Sequence, residues 1–279
     1  MGTGAAIGAV TSIAAASSEQ TSNIQIRKET TPATAVDARQ AVQSSAGSEL
    51  LSIIGGPDFE LSEATKTQSY IGDTTVSEAV SVPTEVGKIQ VINSDYSPQL
   101  SHLEISVGTD IYNNNISISE DARGPANVAS HIYGNSEDGF WHIREATQRE
   151  ENQVTDEIES ERTPSLVSVG EKISGPDAHS SPEHRAIIDG NIYSTDNDKN
   201  PVSNTGRSDV VANGCEEDGL CCAADLMLAY PHCALGAWAC SGAGPGGLAC
   251  VVALVNLCFP SAALVTISGC CEAVYNNCL

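Results

Sequence analysis

Between Glu49 and Thr195 the chain alternates apolar and polar positions over short stretches. Lys88-Ile89-Gln90-Val91-Ile92 runs into Asn93-Ser94-Asp95, and Leu103-Glu104-Ile105-Ser106-Val107 runs into Gly108-Thr109-Asp110. Ile116-Ser117-Ile118 and Ala186-Ile187-Ile188 before Asp189-Gly190 repeat the pattern. Alternation of period two closed by Gly, Asn and Asp predicts short strands joined by tight turns. Residues 145–162 are charged with little apolar face, which predicts a solvated helix or a loop. Large apolar residues are sparse for the length of this region, so the pattern predicts a small core.

After Asn213 the pattern changes. Residues 221–230, CCAADLMLAY, are apolar enough for a buried helix and stop before Pro231. The GAGPGG stretch at 242–247 reads as a turn. Residues 248–259 are nearly all apolar and stop before Pro260, and Ser261 can cap a following helix that reaches Ser268 or beyond. Cys233 and Cys240 share a helical face, and Cys250 and Cys258 nearly do, so bridges between such faces would hold a compact helical bundle. Residues 248–267 approach membrane length, but Pro260 and two cysteines interrupt them. A hydrophobic soluble module that can meet a bilayer is the preferred reading.

The flanking segments are of another kind. Residues 1–16, MGTGAAIGAVTSIAAA, are apolar, small and uncharged, and end in Ala14-Ala15-Ala16 like the close of an export signal. Their weakly hydrophobic, Gly- and Ala-rich character suits a twin-arginine signal, and the missing positive region points to a start upstream with Met1 internal. Residues 17–48 read as a Ser/Thr/Ala-rich linker or weak helix. Residues 49–195 read as an acidic pro-region, and 196–213 as an exposed linker open to proteases. A cut among Ser208, Val211, Ala212, Asn213 and Gly214 would free everything beyond.

Cysteine usage sharpens this division. All ten cysteines, Cys215, Cys221, Cys222, Cys233, Cys240, Cys250, Cys258, Cys270, Cys271 and Cys278, lie in the last stretch. Such density marks a disulfide scaffold, which a domain this short requires for stability. No CxxC pair occurs and no Lys or Arg accompanies the thiols, so bridges are favoured over a metal cluster. Spacing does not choose the connectivity. The expected fold class is therefore a small disulfide-rich, mainly α C-terminal module, behind an N-terminal region mostly irregular with short β-strands and partly disordered.

Charge excludes one partner class. The formal net charge is −23, from 36 acidic and 13 basic side chains. Nucleic-acid binding needs clustered Lys and Arg, so no nucleic-acid partner is expected. Acidity spread along the chain with little Lys suits a protein working in high salt, where screening removes self-repulsion. His102, His131, His142, His179 and His184 are scattered, and no GxSxG, HExxH or phosphate loop occurs. No catalytic residue, metal site or cofactor is assigned, and the chain reads as a non-enzyme. Asn115-Ile116-Ser117 fits a glycosylation acceptor, a short and frequent pattern.

The final stretch resembles the cysteine-rich microhalocins of haloarchaea, bacteriocins of the halocin C-eight type. The resemblance rests on the ten cysteines, the Cys240-Ser241-Gly242-Ala243-Gly244 turn, the Gly247-Leu248-Ala249-Cys250 approach to Cys258, and the Ser268-Gly269-Cys270 end. It covers about the last quarter of the chain. The adjacent pairs Cys221-Cys222 and Cys270-Cys271 depart from the family spacing. The resemblance implies export as a precursor, release of an antimicrobial peptide by signal and processing proteases, and an N-terminal portion that binds that peptide as immunity protein. By the same resemblance residues 49–195 would be an immunity-like domain, and the partners a target-cell membrane or surface component and the chain's own N-terminal segment. A secreted cell-surface protein with an unreleased anchoring or interaction module is the alternative, and a secreted hydrolase a more distant one.

Overall fold

The computed structural model describes residues 24–109, 118–125, 127–157, 164–176, 178, 181–188, 191–194, 201–202, 214–230, 232–242, 247–259, 265–267 and 269–279. One antiparallel sheet runs through nearly all of it. Its strands are β1 (Ile24–Pro32), β2 (Thr65–Ile71), β3 (Thr74–Thr84), β4 (Gly87–Asn93), β5 (Leu100–Ile105) and β6 (Ser130–Asn135). β7 (Gly139–Glu145), β8 (Leu166–Lys172), β9 (Glu183–Ile188), β10 (Asn191–Ser194) and β11 (Pro201–Val202) continue it in chain order. The twelfth strand, β12 (Val265–Ile267), comes from the cysteine module and pairs with β1, completing a 12-stranded order.

This sheet overturns the expectation of a mostly irregular, partly disordered N-terminal region with a small core. The strands stand where alternation predicts them over 88–92 and 103–105. Others are present where the composition hides them, such as β2, TKTQSYI, and β3, TTVSEAVSVPT. β1, the whole of the first helix and the start of the second occupy residues 17–48, read as linker or weak helix. Sheet residues are buried although many are Ser, Thr, Gly or Ala, because both faces are covered.

One face carries helices from the same region. Helix α1 (Ala35–Gln43) starts at a capping box, in which Thr34 Oγ1 accepts from the Asp37 amide and the Asp37 carboxylate accepts from the Thr34 amide. Ala38, Ala41 and Val42 form its buried stripe. Helix α2 (Ser45–Ile53) is capped by Ser44 and buries Leu50. Together they cover Val80, Val82, Ile89, Val91, Leu103, Ile132 and Phe140. On the same face the short α3 (Glu120–Arg123) and α4 (Gln148–Glu157) hold Arg144, which is 1 % exposed. Its guanidinium donates to the Ala122 carbonyl and, at 2.9 and 2.6 Å, to the two carboxylate oxygens of Glu150. Burial opposes ionisation of Glu150, but hydrogen bonds from Arg144 and Thr147 prevail and lower its pKa to about 2. α4 is the helix of the two forms predicted for residues 145–162; it is largely exposed and buries only Val154.

The opposite face carries the module. It comprises α5 (Gly214–Ala229), α6 (Gly236–Gly242), α7 (Gly247–Cys258), β12 and α8 (Cys270–Cys278). All ten cysteines pair: Cys215–Cys278, Cys221–Cys270, Cys222–Cys271, Cys233–Cys258 and Cys240–Cys250. Three bridges tie α5 antiparallel to α8, one ties α6 to α7, and one ties the α5–α6 connection to the end of α7. Cys233 lies outside α6, so it shares no helical face with Cys240. Gly219 lets α5 approach α7, since a Cβ there would meet the Gly247 backbone at 2.5–2.8 Å. Within the apolar run 248–267, α7 ends at Cys258, and Val265–Ile267 form the strand β12 rather than the helix expected to run from Ser261 to Ser268 or beyond. Among the described residues no helix is long and apolar enough to cross a membrane.

Candidate functional site: the sheet–module interface

The largest apolar cluster is shared between sheet and module. Ile26, Ile71, Ala79, Ile92, Leu100, Tyr133, Ile143 and Ile187 from the sheet pack with Leu226, Leu235, Trp238, Val251, Val252, Leu254, Val255 and Phe259. Helix α7 buries Gly247 and every residue from Ala249 to Asn256. A helix apolar all round must be buried on all sides, and here α5, α6 and the sheet share that task.

Polar groups set the register within this apolar contact. Asn256, 5 % exposed, accepts from Ser69 Oγ at 3.2 Å and donates to Ser77 Oγ at 2.7 Å and to the Val252 carbonyl at 2.8 Å. Lys28 Nζ donates to the carbonyls of Asn256 and Phe259 at 3.1 and 3.0 Å, which places a cation at the end of α7. Burial, and then the nearby Lys88, lower the Lys28 pKa to about 8. Tyr133 donates its hydroxyl to the Ala239 carbonyl at 2.8 Å. Burial, and then Asp138, raise the pKa of that phenol far above its usual range. Pairing of Ile24, Gln25 and Ile26 with Ile267, Thr266 and Val265 adds a backbone connection.

At the β8 end the contact is aromatic. Trp238 is fully buried, and its indole N–H donates to Ser168 Oγ at 2.8 Å. The Arg185 guanidinium lies 3.9 Å from the Trp238 ring centre, and the Trp141 ring lies 4.9 Å away at 46°. Arg185 also donates to the Ala237 carbonyl at 3.2 Å and to Glu183 at 3.2 Å. Nearer the sheet centre, His102 Nε2 and His131 Nδ1 lie 3.1 Å apart. Burial, and then His131 and Lys88, keep His102 well below its usual pKa, and burial takes His131 to about 4. A cleft of about 320 Å³ lies over His131, between Glu145 and the α5–α6 connection with His232.

Of the residues singled out from sequence, the ten cysteines come together as five pairs. Ser208, Val211, Ala212 and Asn213 lie outside the described residues, as do the first 23 residues, Asn115, His179 and the Asp189-Gly190 turn. Gly214 is exposed at the first position of α5. His102 pairs with His131, His142 is buried on the α1 side, and His184 lies 3.9 Å from Glu150. Cys221, Asp225 and Cys270 group at metal-ligand distances. Because Cys221 and Cys270 are bonded to each other, their sulfurs are not thiolates available to an ion.

Sequence reasoning missed Lys28, Ser69, Ser77, Tyr133, Gly170, Arg185, Trp238 and the role of Asn256. Two signals were present: a lone Asn inside an apolar run, and a glycine inside the strand LVSVGEK. No protein-family model matches the chain, and neither the curated proteins nor the solved structures compared with it give a match.

Proposed function

We propose that this protein is a secreted precursor in which the sheet region carries and shields a stapled apolar peptide of microhalocin type. One observation carries the reading: all five bridges close inside Cys215–Cys278 and none reaches the sheet. The module is therefore covalently self-contained, and a single backbone cut ahead of it leaves two pieces held only by non-covalent contacts. Five disulfides suit an oxidising compartment outside the cytosol. The apolar surface that the sheet covers would seek a bilayer or a protein target once freed, so the released peptide acts on a target cell without catalysis. The sheet, by holding the same surface, serves as shield or immunity segment. The acidic excess suits a high-salt habitat.

A second reading has its own support. β12 is hydrogen-bonded into the sheet beside β1, as expected of a module that stays in place as an anchoring or interaction domain. Intact-mass analysis of native culture fluid, with and without reduction and alkylation, separates the two. A species starting near Gly214, about ten mass units lighter than its reduced form because each bridge lacks two hydrogens, is the expected result. Full-length chain alone would overturn release and leave the anchored module.

A further inference from the structure

Gly170 sits inside β8, where glycine ordinarily weakens a strand. Its backbone is extended, so no left-handed conformation demands it. What demands it is the module: a Cβ at Gly170 would lie 2.5, 2.6 and 2.8 Å from three ring atoms of Trp238. The outer edge of the indole's six-membered ring lies against bare backbone. Ser168, two residues earlier on the same face of β8, accepts the indole N–H. Arg185, from β9, covers the ring, and Trp141, from β7, flanks it. Three adjacent strands thus form a slot with a floor, a hydrogen-bond acceptor and a cationic lid, all fitted to one side chain. Gly72, whose added Cβ would strike the Tyr275 ring of α8, is different, because its φ of 58° requires glycine in any case.

We propose that this slot of Gly170, Ser168, Arg185 and Trp141 is the specificity-determining site by which the sheet holds the module, and that its ligand is an indole presented by a stapled helical peptide. The proposal rests on the carrier reading above and sharpens it. A sheet with this slot retains modules carrying Trp at the position of Trp238 and discriminates against those with a smaller side chain. Two features support discrimination beyond area. A smaller ring leaves the Ser168 hydroxyl and the Arg185 guanidinium facing a void, and a larger floor residue expels the ring altogether. Buried aromatic anchors of this kind dominate interface energetics, whereas surrounding contacts contribute little each.

The test uses the oxidised full-length chain with a specific protease site placed within residues 203–212, cut after purification. Retention of the module is read by native mass spectrometry and size exclusion. Slot filling is read from the near-ultraviolet circular dichroism of the coupled Trp141–Trp238 pair. The uncut form of each variant is melted first, to confirm folding. The cut wild type is expected to remain one particle. Trp238→Phe, Trp238→Ala and Gly170→Val are expected to raise the dissociation constant by about 30-fold or more, while Ile192→Ala, on the same face near the sheet's far edge, raises it far less. Gly170→Ala combined with Trp238→Phe is expected to bind more tightly than the product of the single effects predicts, because the smaller ring makes room for the new methyl group. Slot variants no weaker than Ile192→Ala, or strictly additive singles, overturn the slot while leaving the carrier reading intact. A cut wild type that falls apart at once overturns both.

Discussion

The two faces of the sheet are covered in different ways. On one, α1 and α2 lie against Val80, Val82, Ile89, Val91 and Leu103, an aliphatic contact made by helices close in sequence to the strands. On the other, a module from the far end of the chain lies against Ser69, Ser77, Ala79, Ser168 and Gly170 as well as against isoleucines. The first contact is general: aliphatic side chains of suitable volume would serve. The second carries side-chain hydrogen bonds, a lysine at a helix end and an indole on a glycine, each of which fits one arrangement only. Apolar area supplies stability on both faces, and the polar fittings on the module side supply register and identity.

Reduction should break the comparison most severely. Each bridge closes a loop of 10 to 63 residues in sequence separation, and such closures contribute about 3–4 kcal/mol each. Without them the module should unravel and uncover its face, while amide protection persists in strands under α1 and α2. Hydrogen exchange before and after reduction measures this. Simultaneous loss on both faces would show one cooperative unit instead.

Equal cavities on the two faces come next. Leu50→Ala in α2 and Leu254→Ala in α7 each remove a fully buried side chain, and each should cost about 2–5 kcal/mol in denaturant melts. Only Leu254→Ala should loosen a module already cut from its chain.

Acid should then strain both faces. His131, at about 4, and His142, at about 3, stay neutral in the folded protein at pH values where the unfolded chain has protonated its histidines, and His102 is likewise held low. Burial is the leading cause for all three. Below about pH 6.5 the unfolded state thus binds more protons, so stability present at neutral pH is lost as pH falls towards 4. Glu150 adds to the loss as pH falls from its ordinary 4.5 towards 2. Denaturant midpoints between pH 7 and 4 check this, and His102→Gln should flatten the profile.

Asn256→Ala should show the smallest effect, about 1–3 kcal/mol from leaving Ser69 and Ser77 without their buried partner. Replacing all three together by apolar residues should recover most of that loss and weaken discrimination of the module's position, which retention after cutting would report.

Legibility followed the range of each interaction. The apolar runs of α5 and α7 were readable because helical burial is written in consecutive residues, and the strands over 88–92 and 103–105 because alternation is local. β2 and β3 were not readable, because Ser69, Ser77 and Ala79 look solvent-facing until α7 lies on them. The same holds for Gly170, whose purpose is 68 positions away at Trp238.

By itself the sequence determined that a cysteine-dense apolar module ends an acidic chain, and that its thiols would pair among themselves rather than bind metal. Density and spacing are properties of the chain, and they suffice for that. Tertiary structure alone decided which cysteines pair, that the preceding region is one large sheet, and that its small and polar residues form a fitted bed for the module. Those outcomes depend on contacts between residues more than 200 positions apart, such as Lys28 and Phe259. No local pattern encodes such a contact, because burial there is supplied by the partner surface.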